Sequence, residues 1–327
     1  MLILGRADLE AVLEPRELID ALSQAFIDHA AGRSLVPPRA TVPVTDDGVL
    51  MLMPAAAPAD DGLALGTKLV TFYADNQARG APTIHSTYIL MDGGTGRPLA
   101  LLDGAFLTGL RTGAASALAA RHLARKDARA LLCFGAGVQA GFQLLCLTAE
   151  LRIDHVVVIG RDPERARRFA DSWRERLGLP VTVASDPHAA VADADVITCA
   201  TTAATPLFDG RRLKPGAHVD AVGAFQSTVR EVDGETVRRA RVVVDQPGTI
   251  DNAGDIALAI KEGVVTRAHV VGDLATLVSG AVAGRTRPDE ITLFKSEGFA
   301  LEDIVAARLA YVRAAARGLC RVVDLAC

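Results

Sequence analysis

The chain has 327 residues, half of them hydrophobic, and its 35 basic and 39 acidic residues leave a formal net charge of −4. That length allows two domains and a large core, and the near-neutral balance, with no basic stripe, excludes the electrostatic footprint of a nucleic-acid binder. No apolar stretch reaches the ~18 uncharged residues of a membrane span, and Met1-Leu2-Ile3-Leu4, soon followed by Glu10, Glu14 and Glu17, is too short for a signal peptide. Cysteines 133, 146, 199, 320 and 327 are odd in number, lack C-x-x-C spacing and mostly sit in apolar runs. They read as reduced, buried thiols, with no disulfide frame and no metal site. A soluble, cytoplasmic protein acting on a small molecule is expected.

In chain order, residues 8–31 have helical period, with Leu9, Val12, Leu13, Ile19, Leu22 and Phe26 on one side. Short strand-like segments follow at 40–44, 49–53, 64–71, 83–91 and 98–103. Asp92-Gly93-Gly94-Thr95-Gly96 is a hairpin turn between the last two. Arg111 opens an alanine-rich helix over 112–124. Then strands at 130–134, 155–159, 181–184, 195–200, 217–222 and 241–245 alternate with helical stretches such as 163–177, the pattern of a parallel sheet covered on both faces. A strand-like 291–295 and a helix from 301 to about 318 close the chain, and that helix is expected to rejoin the first region. The fold class is therefore α/β: a Rossmann doubly wound parallel sheet over 119–296, inserted in a split α+β domain formed by 1–118 and 297–327.

Gly135-Ala136-Gly137-Val138-Gln139-Ala140 follows the apolar run 130–134 and opens a helix. This is the dinucleotide fingerprint G-x-G-x-x-A in its required strand–turn–helix setting. One glycine makes the turn, the next admits the pyrophosphate, and the first helical N–H groups face the anion. An NAD-binding unit usually ends its second strand on Asp or Glu for the ribose hydroxyls. Here Gly160 stands there and Arg161 follows, suited to a 2′-phosphate, with Arg165 and Arg168 adding positive potential. NADPH is the expected cofactor, with NADH the alternative.

Lys68 lies inside a strand, Arg39 follows Pro37-Pro38, and Arg111 stands where a helix dipole disfavours a cation. Few carboxylates neighbour them in sequence, so the three read as a site for a small carboxylate, arginine as clamp and lysine as charge or proton carrier. His85 shares a strand face with Thr83, and Tyr88 takes the other; a lone histidine there is more often structural. There is no Ser-His-Asp set, no HExxH and no paired metal ligands.

Taken together, PPR at 37–39, GTKLV at 66–70, ARGAPT at 78–83, ALLDGAFLTGLRTGAASALAA at 100–120, GAGVQA at 135–140, VIGRDPERA at 158–166, AVGAF at 221–225, REVD at 230–233 and SEGFALEDIVAAR at 296–308 resemble the ornithine cyclodeaminase/mu-crystallin family over nearly the whole chain. The resemblance implies a homodimer, a split substrate-binding and dimerisation domain with an inserted Rossmann domain, and an active site in the cleft between them. It implies substrate-carboxylate roles for Arg39, Lys68 and Arg111, a cleft position for Ser296, and nicotinamide-end positions for Thr83 and Arg111. The cofactor cradle it implies comprises Gly135, Ala136, Gly137, Val138, Gln139, Arg161, Thr201, Ala221, Val222 and Gly223.

One departure narrows the function. The cyclodeaminases and related alanine dehydrogenases carry a catalytic aspartate two residues after the AVG glycine, where this chain has Phe225. A phenyl ring neither accepts nor donates a proton. The variant is most similar to the Δ1-pyrroline-2-carboxylate (ketimine) reductase branch, which reduces a cyclic imino acid; the expected substrate is the five-membered ring, with the six-membered Δ1-piperideine-2-carboxylate as a further candidate and Phe225 against the ring methylenes. Lys68 and Arg111 are then the catalytic candidates. The competing readings are another NAD(P)-dependent amino-acid dehydrogenase acting on alanine or an opine-like amine, ornithine cyclodeaminase itself, and a non-catalytic NADPH-binding protein.

Overall fold

A computed structural model describes residues 1–59, 62–319 and 321–324. The chain forms two compact units, Met1–Arg111 with Phe299–Cys327, and Thr112–Gly298.

The first unit contains β1 (Leu2–Leu4), α1 (Arg6–Val12), α2 (Pro15–Ala30), β2 (Ala40–Pro43), β3 (Gly48–Ala59), β4 (Gly62–Tyr73), β5 (Ile84–Asp92) and β6 (Pro98–Asp103). The expected helix over 8–31 is two helices, because Pro15 starts a new one at the position where a missing N–H costs nothing. The segments expected at 49–53 and 64–71 are twelve-residue strands, paired from Gly48↔Tyr73 to Ala59↔Gly62. Pro54 and Pro58 do not break β3. The N–H of Ala56 points away from β4 to the carbonyl of Leu35, so the prolines two residues either side turn their donorless nitrogens to an edge that β2, paired only as far as Leu52, has already left.

The next helix, α3, runs over Gly104–Leu123, eight residues ahead of the expected start. The carboxylate of Asp103 accepts the Phe106 N–H at 2.8 Å and begins it early. Arg111 thus lies mid-helix, and the expectation that it sits at a helix N-terminus is corrected. The boundary between the two units falls inside this helix.

The second unit contains β7 (Ala130–Phe134), α4 (Val138–Glu150), β8 (His155–Ile159), α5 (Pro163–Leu177), β9 (Val181–Val183), α6 (Pro187–Asp193), β10 (Val196–Cys199) and β11 (His218–Ala221). It continues with α7 (Gly234–Arg239), β12 (Ala240–Val244), α8 (Thr249–Asn252), α9 (Gly254–Lys261), β13 (Val270–Asp273), α10 (Leu274–Val278) and β14 (Ile291–Lys295). The eight strands are all parallel, in the order β13-β12-β14-β11-β10-β7-β8-β9. This is the Rossmann-type sheet expected from the apolar runs. The chain leaves β7 toward β8 and β9 and returns on its other side with β10, so the crevice between β7 and β10 is the topological switch point where such sheets bind ligands. Gly141 of α4 packs under α5: a Cβ there would stand 2.3 Å from Cζ2 of Trp173.

The chain then returns to the first unit with α11 (Ala300–Arg317) and β15 (Arg321–Val322). Its seven-stranded sheet runs β15-β1-β6-β5-β4-β3-β2, and α2 and α11 pack on one face. Along β4 that face carries Ala64, Gly66, Lys68 and Val70, all buried, while Leu65, Thr67, Leu69 and Thr71 on the other are half-exposed.

Cys133, Cys146 and Cys199 are buried free thiols; Cys320 and Cys327 lie outside the described residues. Among those residues no helix is long and apolar enough to cross a membrane, and no group of acidic, histidine and cysteine side chains is placed to hold a metal.

The Gly141–Trp173 contact makes a specific prediction. Gly141→Ala should cost about 1–3 kcal/mol through overpacking, read by urea unfolding on the fluorescence of Trp173, the only tryptophan. An unchanged midpoint would contradict the close helix contact.

Candidate functional site

In the second unit, Gly135 leaves β7 with φ 118°, in the left-handed region that favours glycine, and its N–H donates to the Ile159 carbonyl at 2.8 Å. A Cβ at Gly135 would stand 2.5 Å from the Ala200 carbonyl oxygen, so β7 and the end of β10 meet here backbone to backbone. Gly137 caps α4 without a side-chain hydrogen bond, whereas Asp162, Asp186, Asp233 and Asp273 cap α5, α6, α7 and α10 with their carboxylates. A Cβ at Gly137 would meet only the Arg165 guanidinium, at 3.9 Å, and Val138 is 72% exposed. An uncapped helix start behind an open glycine turn fits a dinucleotide pyrophosphate. Arg165, expected to add positive potential, does so at the turn itself: its Nε donates to the Ala136 carbonyl at 3.1 Å and holds the guanidinium there. Arg161 is exposed, and Gln139 is half-buried.

Thr201, Gly223 and Ala224 are joined by Glu231, a residue of the REVD motif at 230–233. The Glu231 carboxylate, fully buried, accepts the Thr201 N–H and hydroxyl, both at 2.7 Å, and the N–H groups of Gly223 at 2.6 Å and Ala224 at 3.3 Å. Asp255 in turn accepts the Glu231 and Val232 N–H groups at 2.7 and 2.9 Å and pairs with Lys295 at 2.8 Å. Lys295 closes the loop by donating to the Ala224 carbonyl at 2.5 Å. Burial pushes the Glu231 carboxyl above its ordinary range, against the charge of Lys295. This network fixes the loops after β10 and β11, including the half-buried Phe225. Ala221 is buried at the end of β11, with Val222 donating to the Cys199 carbonyl. The hydroxyl of Ser296, also buried, donates to Asp245 at 2.8 Å.

The first unit brings Lys68 and Arg111 together, but on carboxylates. Lys68 Nζ lies 3.0 and 2.9 Å from the two oxygens of Asp303, and Arg111 Nε lies 2.9 Å from Asp303 Oδ1. Arg111 Nη1 donates to Glu302 at 2.6 Å. All four side chains are at most 4% exposed. Tyr88 stands beside Lys68 in the β4–β5 register and is fully buried. Few carboxylates neighbour these cations in sequence, but in the fold one lysine and one arginine face two carboxylates, delivered by the first turn of α11 from the far end of the chain. Any ligand carboxylate would therefore be recognised by directed N–H donors, not by net positive charge. Burial and the neighbouring Arg111 lower the Lys68 ammonium to about 8, despite Asp303. Burial holds the Tyr88 phenol well above its ordinary range, and the charge of Asp303 adds to the shift. Arg39 is half-buried just ahead of edge strand β2, and Thr83 is half-buried just ahead of β5, its carbonyl accepting the Tyr73 N–H at 2.9 Å.

The ornithine cyclodeaminase/mu-crystallin family model matches residues 1–318. The chain belongs to that family. A Δ1-pyrroline-2-carboxylate reductase of Bacillus cereus is 36% identical over 323 residues, 98% of each chain. The structure of the Thermococcus litoralis Δ1-pyrroline-2-carboxylate reductase in complex with NADH and L-proline superposes with a TM-score of 0.94 at 38% identity, covering 99% of this chain and all of that one. An archaeal alanine dehydrogenase dimer with bound NAD superposes at 0.92 and 30% identity, covering 99% of each.

The Glu231 clamp generates a test inside the second unit. Glu231→Gln turns an amide NH₂ toward backbone N–H donors that need an acceptor, and should cost about 3 kcal/mol of stability, measured by urea unfolding. Unchanged stability would mean that the carboxylate does not hold these loops.

Proposed function

We propose that the protein is an NAD(P)H-dependent oxidoreductase that reduces Δ1-pyrroline-2-carboxylate to L-proline, and acts on the six-membered Δ1-piperideine-2-carboxylate by the same chemistry to give L-pipecolate. The observation that carries this reading is the full-length likeness to the reductase crystallised with NADH and L-proline, together with Phe225 where the deaminating relatives use an aspartate. Reduction of a preformed cyclic imine needs no group to manage ammonia, so loss of that aspartate removes nothing the reaction requires.

In this reading the first unit binds the imino acid and the second binds the dinucleotide. A bound dihydronicotinamide supplies the hydride. Arg111, immobilised by Glu302 and Asp303, directs N–H donors at the substrate carboxylate, and Arg39 assists. Lys68 holds a proton for the imine nitrogen. Phe225 offers an apolar surface to the ring methylenes, and Ser296 lies within the substrate-binding set. Gly135, Ala136, Gly137, Val138 and Gln139 receive the pyrophosphate, Thr201, Ala221, Val222 and Gly223 complete the cofactor cradle, and Thr83 and Arg111 serve the nicotinamide end. Arg161, with Arg165 behind it, reads a 2′-phosphate, which favours NADPH over NADH.

The half-exposed apolar face of the first unit's sheet, with Leu52, Leu65, Leu69 and Ile89, supports a homodimer. Buried free thiols accord with a cytoplasmic location. A second reading, an open-chain amino-acid dehydrogenase, draws on the likeness to alanine dehydrogenase.

The deciding assay follows dinucleotide absorbance with Δ1-pyrroline-2-carboxylate, NADPH beside NADH, and with pyruvate plus ammonia. Oxidation with the cyclic imine and not with pyruvate is expected; the reverse would establish the second reading. Arg111→Ala should lower kcat/KM by about 10²-fold or more, through both KM and kcat, because clamp and orientation are lost together. Normal kinetics would remove the carboxylate role. Arg161→Ala should weaken NADPH about tenfold or more and leave NADH nearly unchanged, read by fluorescence titration; equal losses would show that Arg161 does not contact the 2′-phosphate.

A further inference from the structure

We infer that Asp303 is a positioning residue of the reaction: one buried carboxylate grips the Lys68 ammonium with both oxygens and the Arg111 guanidinium with one, and so keeps on Lys68 the proton that the imine nitrogen receives. The inference rests on the reading of the site as an imine reductase. Lys68 Nζ is 3.0 and 2.9 Å from the two Asp303 oxygens, and Arg111 Nε shares Oδ1 at 2.9 Å. Glu302, the adjacent carboxylate, is bonded to Arg111 Nη1. The charged and titratable groups facing Lys68 are Arg111 from α3, Glu302 and Asp303 from α11, and Tyr88 from β5. Burial and the Arg111 charge both drive Lys68 toward the neutral amine, and Asp303 is the stronger of the two opposing carboxylates.

In the step itself, the imine carbon takes a hydride from the reduced nicotinamide dinucleotide. The C=N π pair moves onto nitrogen, and nitrogen takes a proton as an N–H bond of Lys68 breaks. The amine left on Lys68 is reprotonated from solvent before the next turnover. Without Asp303 that amine would stay neutral at a pH where the wild-type ammonium is restored.

The test measures kcat/KM against pH for wild type, Asp303→Asn and Glu302→Gln, with the Lys68 Nζ resonance titrated in the NADH-bound enzyme. The chain has only five lysines, which makes that resonance assignable. Wild type should lose activity as pH rises through about 8. In Asp303→Asn the alkaline limb and the Lys68 titration should move down together by about one pH unit or more, with kcat/KM about 10²-fold lower at pH 8. Glu302→Gln should act mainly on KM and move the limb less. An unmoved limb and titration in folded Asp303→Asn would overturn the proposal. If that variant does not fold, Asp303→Glu keeps the charge and should leave the limb in place; a downward shift there would overturn it equally. Wild type inactive on the imine with either dinucleotide would instead overturn the reductase reading, while the Lys68 titration still decides the role of Asp303.

Discussion

Four charged side chains, Lys68, Arg111, Glu302 and Asp303, are buried together under α11 in the first unit. Removing each ion from water costs several kcal/mol, a cost offset only where opposite charges meet with good hydrogen-bond geometry. Two cations stand 2.6–3.0 Å from two carboxylates, with Asp303 Oδ1 and Glu302 Oε2 accepting the hydrogen bonds. The constraint reaches beyond the cluster. It requires the end of the chain to return to the sheet formed by its beginning, and it seats α11 so that its first turn brings both acids to one place. Their position near the helix N-terminus is electrostatically favourable as well. The grouping that makes α11 dock also places Lys68, its ammonium lowered to about 8, beside a guanidinium immobilised by Glu302 and Asp303.

The second unit solves a related problem. Its loops after β10 and β11 have no regular partner, yet Thr201, Gly223 and Ala224 are held by backbone donation to Glu231, itself braced by Asp255 and Lys295. A buried carboxylate with several convergent N–H donors fixes a loop more tightly than apolar packing would, because each donor would otherwise stay unsatisfied. The glycine turn beside it is kept open in the complementary way, by leaving out side chains and a cap. Rigid loops next to an open anion cradle are what orientation of a dinucleotide demands.

Much of this was legible in the sequence. The apolar strands of the parallel sheet and the G-x-G-x-x-A turn announce themselves because period and turn chemistry are local properties. The limits of 98–103, 130–134, 155–159, 163–177 and 291–295 agree with the structure to the residue. What local pattern could not supply was partnership across the chain. Lys68 and Arg111 looked like unneutralised cations because Asp303 is 235 residues from one and 192 from the other. Two acids opening the alanine-rich helix 300–317, and a lysine ending the apolar strand 291–295, were the available signals. The alanine-rich stretch over 112–124 suggests a helix opening at Arg111, whereas Asp103 sets the start earlier. The three-residue β1 was too short for any period to register, and the prolines of β3 concealed a long strand because an edge position cannot be seen before pairing is known.

Hydride transfer to the imine carbon is read out in a single turnover with nicotinamide dinucleotide deuterated at the transferable C4 position and unlabelled Δ1-pyrroline-2-carboxylate, with the product analysed by mass spectrometry and NMR. Direct reduction of the imine predicts L-proline carrying one deuterium at Cα. Proline without deuterium, or no proline while the dinucleotide stays bound and reduced, would rule out direct hydride transfer to the imine.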